Sequence, residues 1–322
     1  MQNRCAALRA GIREVTYTSD FPGLKALRDN YLAEFNSKIL ARKKFENPKT
    51  LATLKRLGWP HDTCISIADT GNIASVQIAE HWAAALPGSL GAAGTAQGTG
   101  SSFETILRDF LNAGFELLAH AGVEAAKDIL AKKSGNVRDF DQYSHLGAVA
   151  SALVHDPQLE VVFGRDYGIK PDIVVFRKRH APGILGSRDS AQRIAQYSPF
   201  FGDARLSTPE ALILEAIVSC KLTIRSDRVQ NIRPEAANAV RTRKGRMPRI
   251  VAVTAEPLCS GGRLEAIALG TGDVDCVYHS GLPELEDAMV LAERHDEAKK
   301  LKNLIDGRRL RDVSDLLFDL LI

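Results

Sequence analysis

The stretch ALILEAIVSCKLTIRSDRVQNIRPE, residues 211–235, joins an apolar run to a dense group of charges. Ala216-Ile217-Val218 ends abruptly in Ser219-Cys220-Lys221, and Arg225-Ser226-Asp227-Arg228 follows at once. The apolar part reads as a helix-to-strand passage or a long buried strand. A strand that carries a lysine to its end calls for a partner there. The run DIVVFRK, residues 172–178, reads as a second buried strand that opens on Asp172 directly after Pro171. If the two strands are neighbours, Asp172 and Lys221, 49 positions apart, converge at one edge of a sheet. Side-chain period two then puts Ser219 and Lys221 on one face and turns Cys220 away. Taken alone, Lys170-Pro171-Asp172 is equally a turn before a strand.

Working outward, residues 22–57 have helical spacing of apolar residues and predict two or three helices. Further helices are expected over IASVQIAEHWAAAL (73–86), YSHLGAVASALVH (143–155), LEDAMVLAERHDEAKKLKNLI (285–305) and VSDLLFDLLI (313–322). The small-residue stretch GSLGAAGTAQGTGSS (88–102) cannot pack a core and reads as a loop. It leads into a strong helix, SSFETILRDFLNAGFELLAHA (101–121), with Ser101 or Ser102 as N-cap. No Walker-type lysine follows its glycines, which argues against a nucleotide-phosphate loop. LEVVFG (159–164), RIVAVTAEP (249–257), LEAIAL (264–269) and DVDCVYH (273–279) read as strands. The expected architecture is α/β: a central mixed sheet with helices on both faces. A helical N-terminal extension covers 1–60 and the main domain 61–322, both expected to form one compact unit.

The net charge of +3 on 322 residues is close to neutral, but its distribution is uneven. From Lys221 to Arg249 there are nine Lys or Arg against only Asp227 and Glu235. That excess suits phosphates, or else a solvated basic helix. The five cysteines are scattered, with no CxxC pair and no zinc spacing, which predicts reduced thiols and a cytoplasmic protein. The sequence shows neither a signal peptide nor an apolar run of membrane-spanning length.

Pro171-Asp172 followed by Ser219-Cys220-Lys221 resembles the PD…(D/E)XK nuclease core with serine in place of its middle acid. With the RSDR cluster and a glutamate further on, the pattern resembles the NgoMIV branch of type II restriction endonucleases, whose wider group cuts sites built around CCGG. The likeness continues through GRMPRIVAVTAEP and LEAIALGTGDVDCVYH and spans roughly residues 60–280. It implies a restriction-endonuclease-like core and hydrolysis of double-stranded DNA with Mg2+. Asp172 and Glu235 would be metal ligands, with the Cys220 carbonyl as a further oxygen, and Lys221 would orient the attacking water. Glu235 stands 14 residues beyond Lys221, where the displaced acid belongs, and Glu104 is the expected upstream glutamate. Glu104 is also a favourable acid near a helix N-terminus. Pro234, just before Glu235, implies either that a helix restarts there or that Glu235 is held at an altered angle.

The resemblance also gives the RSDR cluster a purpose. Arginine donates two hydrogen bonds to guanine O6 and N7, and aspartate accepts from the cytosine amino group. Arg225, Asp227 and Arg228 would read CCGG from the major groove, while Gln97 and Asp69 would read an outer pair. The implied target is GCCGGC, cut after the first G to leave a 5′ CCGG overhang. The remaining readings are a nuclease with another CCGG-containing site, a repair or junction nuclease, and a DNA-binding protein without catalysis. A palindrome calls for a twofold dimer, and the family implies a homotetramer. The long 178–209 segment, with Tyr197 and Phe200-Phe201, would form the contact between dimers. A cognate DNA methyltransferase is the expected system partner.

Overall fold

The computed structural model describes residues 22–92, 98–155, 170–178, 212–224, 226–270 and 274–322. The N-terminal part holds α1 (Pro22–Lys38), β1 (Arg42–Lys44), α2 (Pro48–Arg56), β2 (Thr63–Ile65), α3 (Ile73–Ala85) and α4 (Thr99–His120). Then come β3 (Ile129–Lys133), α5 (His145–His155), β4 (Ile173–Lys178), β5 (Leu212–Lys221) and α6 (Ser226–Thr242). The chain continues through β6 (Arg249–Thr254), α7 (Leu264–Ala268), β7 (Cys276–His279), α8 (Leu282–Leu291), α9 (His295–Asp306), β8 (Leu310–Asp312) and α10 (Val313–Asp319).

Strands β3 to β8 form one sheet in sequence order. β3, β4 and β5 pair antiparallel, and β5 to β8 pair parallel. Alternation along the central strands fills two cores. Ile173, Val175, Ala216, Val218, Val251 and Val253 face the larger one, with residues of α1, α3 and α4. Val174, Leu214, Ile217 and Ile250 face the other, closed by Ala236 and Ala239 of α6 and by Val137, Phe140 and Tyr143. Burial on both faces explains why these strands read as near-continuous apolar runs. Leu214 and Ala216 face opposite cores although two apart, because the β4–β5 register shifts between Val175 and Phe176. Glu215 is the extra residue of that bulge, and Arg177 Nε and Arg246 Nη2 both pair with it at 3.1 Å.

The sheet edge at β3 is closed by a side chain. Asn112 of α4 accepts from Ala131 N at 2.8 Å and donates to Ala131 O at 3.0 Å, satisfying backbone groups that an edge strand leaves open. α1 is tied to the opposite end of the sheet order. Arg28 donates to both carboxylate oxygens of Glu284 and of Asp312 at 2.8–2.9 Å. The half-buried fork raises the arginine's pKa further, its two acids outweighing the desolvation. No described helix is long and apolar enough to cross a membrane.

Several sequence expectations change here. LEAIAL is the helix α7, not a strand, with Leu264, Ile267 and Ala268 buried at helical spacing. α4 starts at Thr99 rather than at Ser101 or Ser102, with Gly98 as N-cap at φ 109°, a conformation open to glycine. Glu104 therefore lies in its second turn. β1, β2, β3 and β8 are strands that the sequence reading does not predict, and β1 lies inside the 22–57 stretch expected to be helical. LEVVFG and residues 179–211 lie outside the described residues.

One buried base makes stability depend on pH. His279, at the end of β7, is fully enclosed beside Trp82, with ring centroids 5.3 Å apart. Burial, partly offset by the charge of Asp312, pushes its pKa down to about 4. Between that value and the unfolded value near 6.5 the unfolded chain binds the extra proton, so stability is complete above the unfolded pKa and falls as pH drops toward 4. Urea unfolding at pH 7.5 and pH 5 should show about 2 kcal/mol of loss that His279→Gln does not share. Equal losses in both proteins would refute the assignment.

Candidate active site

Antiparallel pairing brings the start of β4 to the end of β5, since Ile173 pairs with Val218. Asp172 therefore stands beside Ser219-Cys220-Lys221, as the apolar runs implied. Its Oδ2 accepts from Lys221 Nζ at 2.9 Å and from Cys220 N at 2.7 Å. Both side chains of the ion pair are largely enclosed, which strengthens their attraction relative to a surface pair. Cys220 packs against the larger core, in keeping with strand alternation. Burial first, then the charges of Asp172 and Glu104, push its thiol pKa well up, against Lys221 and Lys133. Four charged side chains thus surround one strand end.

Glu235 belongs to the same group. α6 is a single helix through Pro234, so the helix neither stops nor restarts there. The proline withholds one backbone donor, and Glu235 follows it on the same helix. Although Glu235 reaches solvent, the protein around its carboxyl raises its pKa; Lys221 opposes this and Asp172 adds to it. Mutual repulsion of two carboxylates at one spot is what a hard cation relieves. Among the described residues no three His, Cys, Asp or Glu side chains are grouped to hold a metal by themselves. The donor set fits magnesium, which takes one or two protein carboxylates and completes its shell with water and phosphate oxygens.

Glu104 reaches this edge from α4. Its Oε2 lies 3.2 Å from Lys133 Nζ, at the end of β3. Lys133 pairs with Ile173, and Ser134 N donates to Asp172 O at 2.9 Å, so β3 brings a second lysine to the start of β4, opposite Ile173.

Asp69 lies elsewhere, in the turn between β2 and α3. It accepts from Gly71 N at 3.0 Å and forms a close ion pair with Arg263. Arg263 Nη1 donates to Ile224 O at 2.7 Å, and Ile224 N donates to Glu256 Oε2 at 2.8 Å. Glu256, only 1% exposed, also receives Leu258 N at 3.2 Å and Arg263 Nη1 at 3.3 Å. Burial raises its pKa, and these donors work against that. Gly261 and Gly262, at φ 68° and 78°, make the turn that delivers Arg263. Backbone at Ile224 is thus held on both sides immediately before the RSDR segment, and Asp69 is connected to it. Ser226, Asp227 and Arg228 open α6. Gln97 and Arg225 lie outside the described residues, as do the side chains of Asp227 and Arg228.

Lys133, Glu256 and Arg263 are the charged side chains here that sequence reading passed over. ILAKK offered a signal for the first, because it also ends a strand in lysine. The double glycine before Arg263 marked a sharp turn. Glu256 gave none.

The family described as NgoMIV restriction enzyme matches residues 55–322. The type II restriction enzyme NgoMIV of Neisseria gonorrhoeae is 40% identical over 230 residues, covering 70% of this chain and 78% of that protein. Among solved structures, restriction endonuclease PspGI with substrate DNA aligns at TM-score 0.32 and 16% identity, over 69% of this chain and 60% of the other. The type IIF endonuclease Bse634I with cognate DNA aligns at TM-score 0.32 and 14% identity, over 83% and 91%.

Proposed function

This chain belongs to the NgoMIV restriction enzyme family, and we propose that it is a type II endonuclease that hydrolyses double-stranded DNA at GCCGGC with Mg2+. The observation that carries the catalytic part is the meeting of Lys221 Nζ and Cys220 N on Asp172 Oδ2, with Glu235 alongside. Asp172, Glu235 and the Cys220 carbonyl are the residues that would hold the ion. When bound, it supplies Lewis-acid activation of a water and neutralises charge at the phosphate. Lys221 keeps its ammonium at the strand end, where it orients the water and offsets the charge that develops on the phosphate oxygens.

Arg225, Asp227 and Arg228 read the CCGG core, and Gln97 and Asp69 read the outer pair. The Arg263–Asp69 pair supports the second assignment: a guanidinium and a carboxylate side by side match guanine and cytosine edges. Cutting after the first G leaves a 5′ CCGG overhang. The palindrome is met by a homodimer, paired into a homotetramer through the 178–209 segment, with 1–60 as an N-terminal extension. The enzyme works in the cytoplasm beside a DNA methyltransferase that protects the same sites.

Plasmids with one and two GCCGGC sites, digested with magnesium and sequenced at their ends, test this reading. Cleavage at GCCGGC, lost with EDTA and faster on the two-site plasmid, is the expected result. Cutting at another CCGG-containing site would discard Asp69 and Gln97 as outer readers. Tight binding without cutting would replace the enzyme with a DNA-binding protein.

A further inference from the structure

Lys133 is held more firmly than a surface lysine. Its ammonium donates to Ser101 O at 2.8 Å, Ser101 Oγ at 2.5 Å and Thr105 Oγ1 at 3.4 Å, besides its ion pair with Glu104. The pair is mostly enclosed, with side-chain exposures of 22% and 21%. Both groups lie at the sheet edge where Lys221 pairs with Asp172. The Lys133–Glu104 and Lys221–Asp172 ion pairs thus stand at the ends of the two strands that flank the start of β4, and the Glu235 carboxyl feels the charges of the second pair. Across these five groups one negative charge remains uncompensated.

We propose that Lys133 is a positioning residue that acts through Glu104: as its resident counter-ion, it keeps the carboxylate edge from retaining a divalent cation until a DNA phosphate adds its own charge. The inference rests on the nuclease reading above. It makes cation uptake and DNA binding one coupled event, because the phosphate brings the charge that Lys133 cancels. Lys133 also fixes the first turn of α4, so its charge and its hydrogen bonds need separate tests.

Lys133→Gln keeps a donor for Ser101 and drops the charge, whereas Lys133→Arg keeps the charge. Manganese binding to each DNA-free protein can be followed by electron paramagnetic resonance of the free ion. Lys133→Gln should bind Mn2+ about tenfold more tightly than wild type, ~1.4 kcal/mol, with Lys133→Arg within about twofold. In a Glu104→Gln background, the gain from Lys133→Gln should shrink to about twofold, as coupling through one carboxylate requires. Lys133→Met, which drops the hydrogen bonds too, should shift affinity in the same direction as Lys133→Gln. Unchanged, weaker or undetectable Mn2+ binding in Lys133→Gln overturns the proposal, and so does a full gain without Glu104. Plasmid cutting by wild type, run in parallel, distinguishes that outcome from failure of the nuclease reading.

Discussion

Lys221→Ala is expected to cut cognate DNA about 10^2–10^3-fold more slowly while still binding it, a loss of ~3–4 kcal/mol confined to the transition state. The ammonium is 2.9 Å from Asp172 Oδ2, and the proposed role places it where a phosphate oxygen and an attacking water would meet the carboxylates. Its removal also leaves Asp172 with the Cys220 amide as its remaining described donor. The strand itself should survive, because Val218 and Ala216 anchor β5 in the core and Lys221 is its last residue. Lys221→Arg should recover little, since a planar fork cannot replace a compact ammonium in this corner. Single-turnover cleavage rates and duplex affinity in calcium separate the two effects. A rate loss under tenfold would remove Lys221 from the chemistry. An equal loss in affinity would make it a phosphate anchor.

What could be read from the sequence was set by how local each determinant is. β4 and β5 were legible because burial on both faces leaves an apolar run, and the polar residues that end them stand out. The convergence of Asp172 and Lys221 followed from pairing those runs. β3 was missed because its burial alternates and Lys132 and Lys133 look like solvated charges. β8 is three residues long, and its identity depends on β7 beside it. Five residues of LEAIA carry too little periodicity to separate strand from helix, and packing decides for helix. The Glu215 bulge arises from the pairing of β4 with β5, and the Glu256–Ile224–Arg263 network joins residues 32 and 39 positions apart. Pro234 was the opposite case: a strong local signal for a break, overridden by a helix whose Ile232, Ala236 and Ala239 are buried against the sheet.

The base-reading assignment predicts a different signature from that of Lys221. Arg225→Ala should lower affinity for GCCGGC and flatten discrimination at the guanine it contacts, by ~1–3 kcal/mol per half-site. In a twofold dimer each substitution acts twice, so the whole-site loss is ~2–6 kcal/mol, about 30-fold to more than 10^4-fold. Asp227→Asn should weaken preference at the paired cytosine, because an amide presents one acceptor and a donor where the carboxylate accepts only. The structural basis is the fixed backbone before the cluster. Ile224 is bonded through its N–H to Glu256 and through its carbonyl to Arg263, and α6 begins two residues later at Ser226. Contacts made by a group that loses little entropy on docking translate into discrimination. Competition binding in calcium against duplexes with one base pair changed measures this directly, and the salt dependence separates the alternatives. Loss concentrated at one base pair with an unchanged salt slope identifies a base reader. A uniform loss across all duplexes with the slope reduced by about one would make Arg225 a phosphate contact and refute direct readout by this residue.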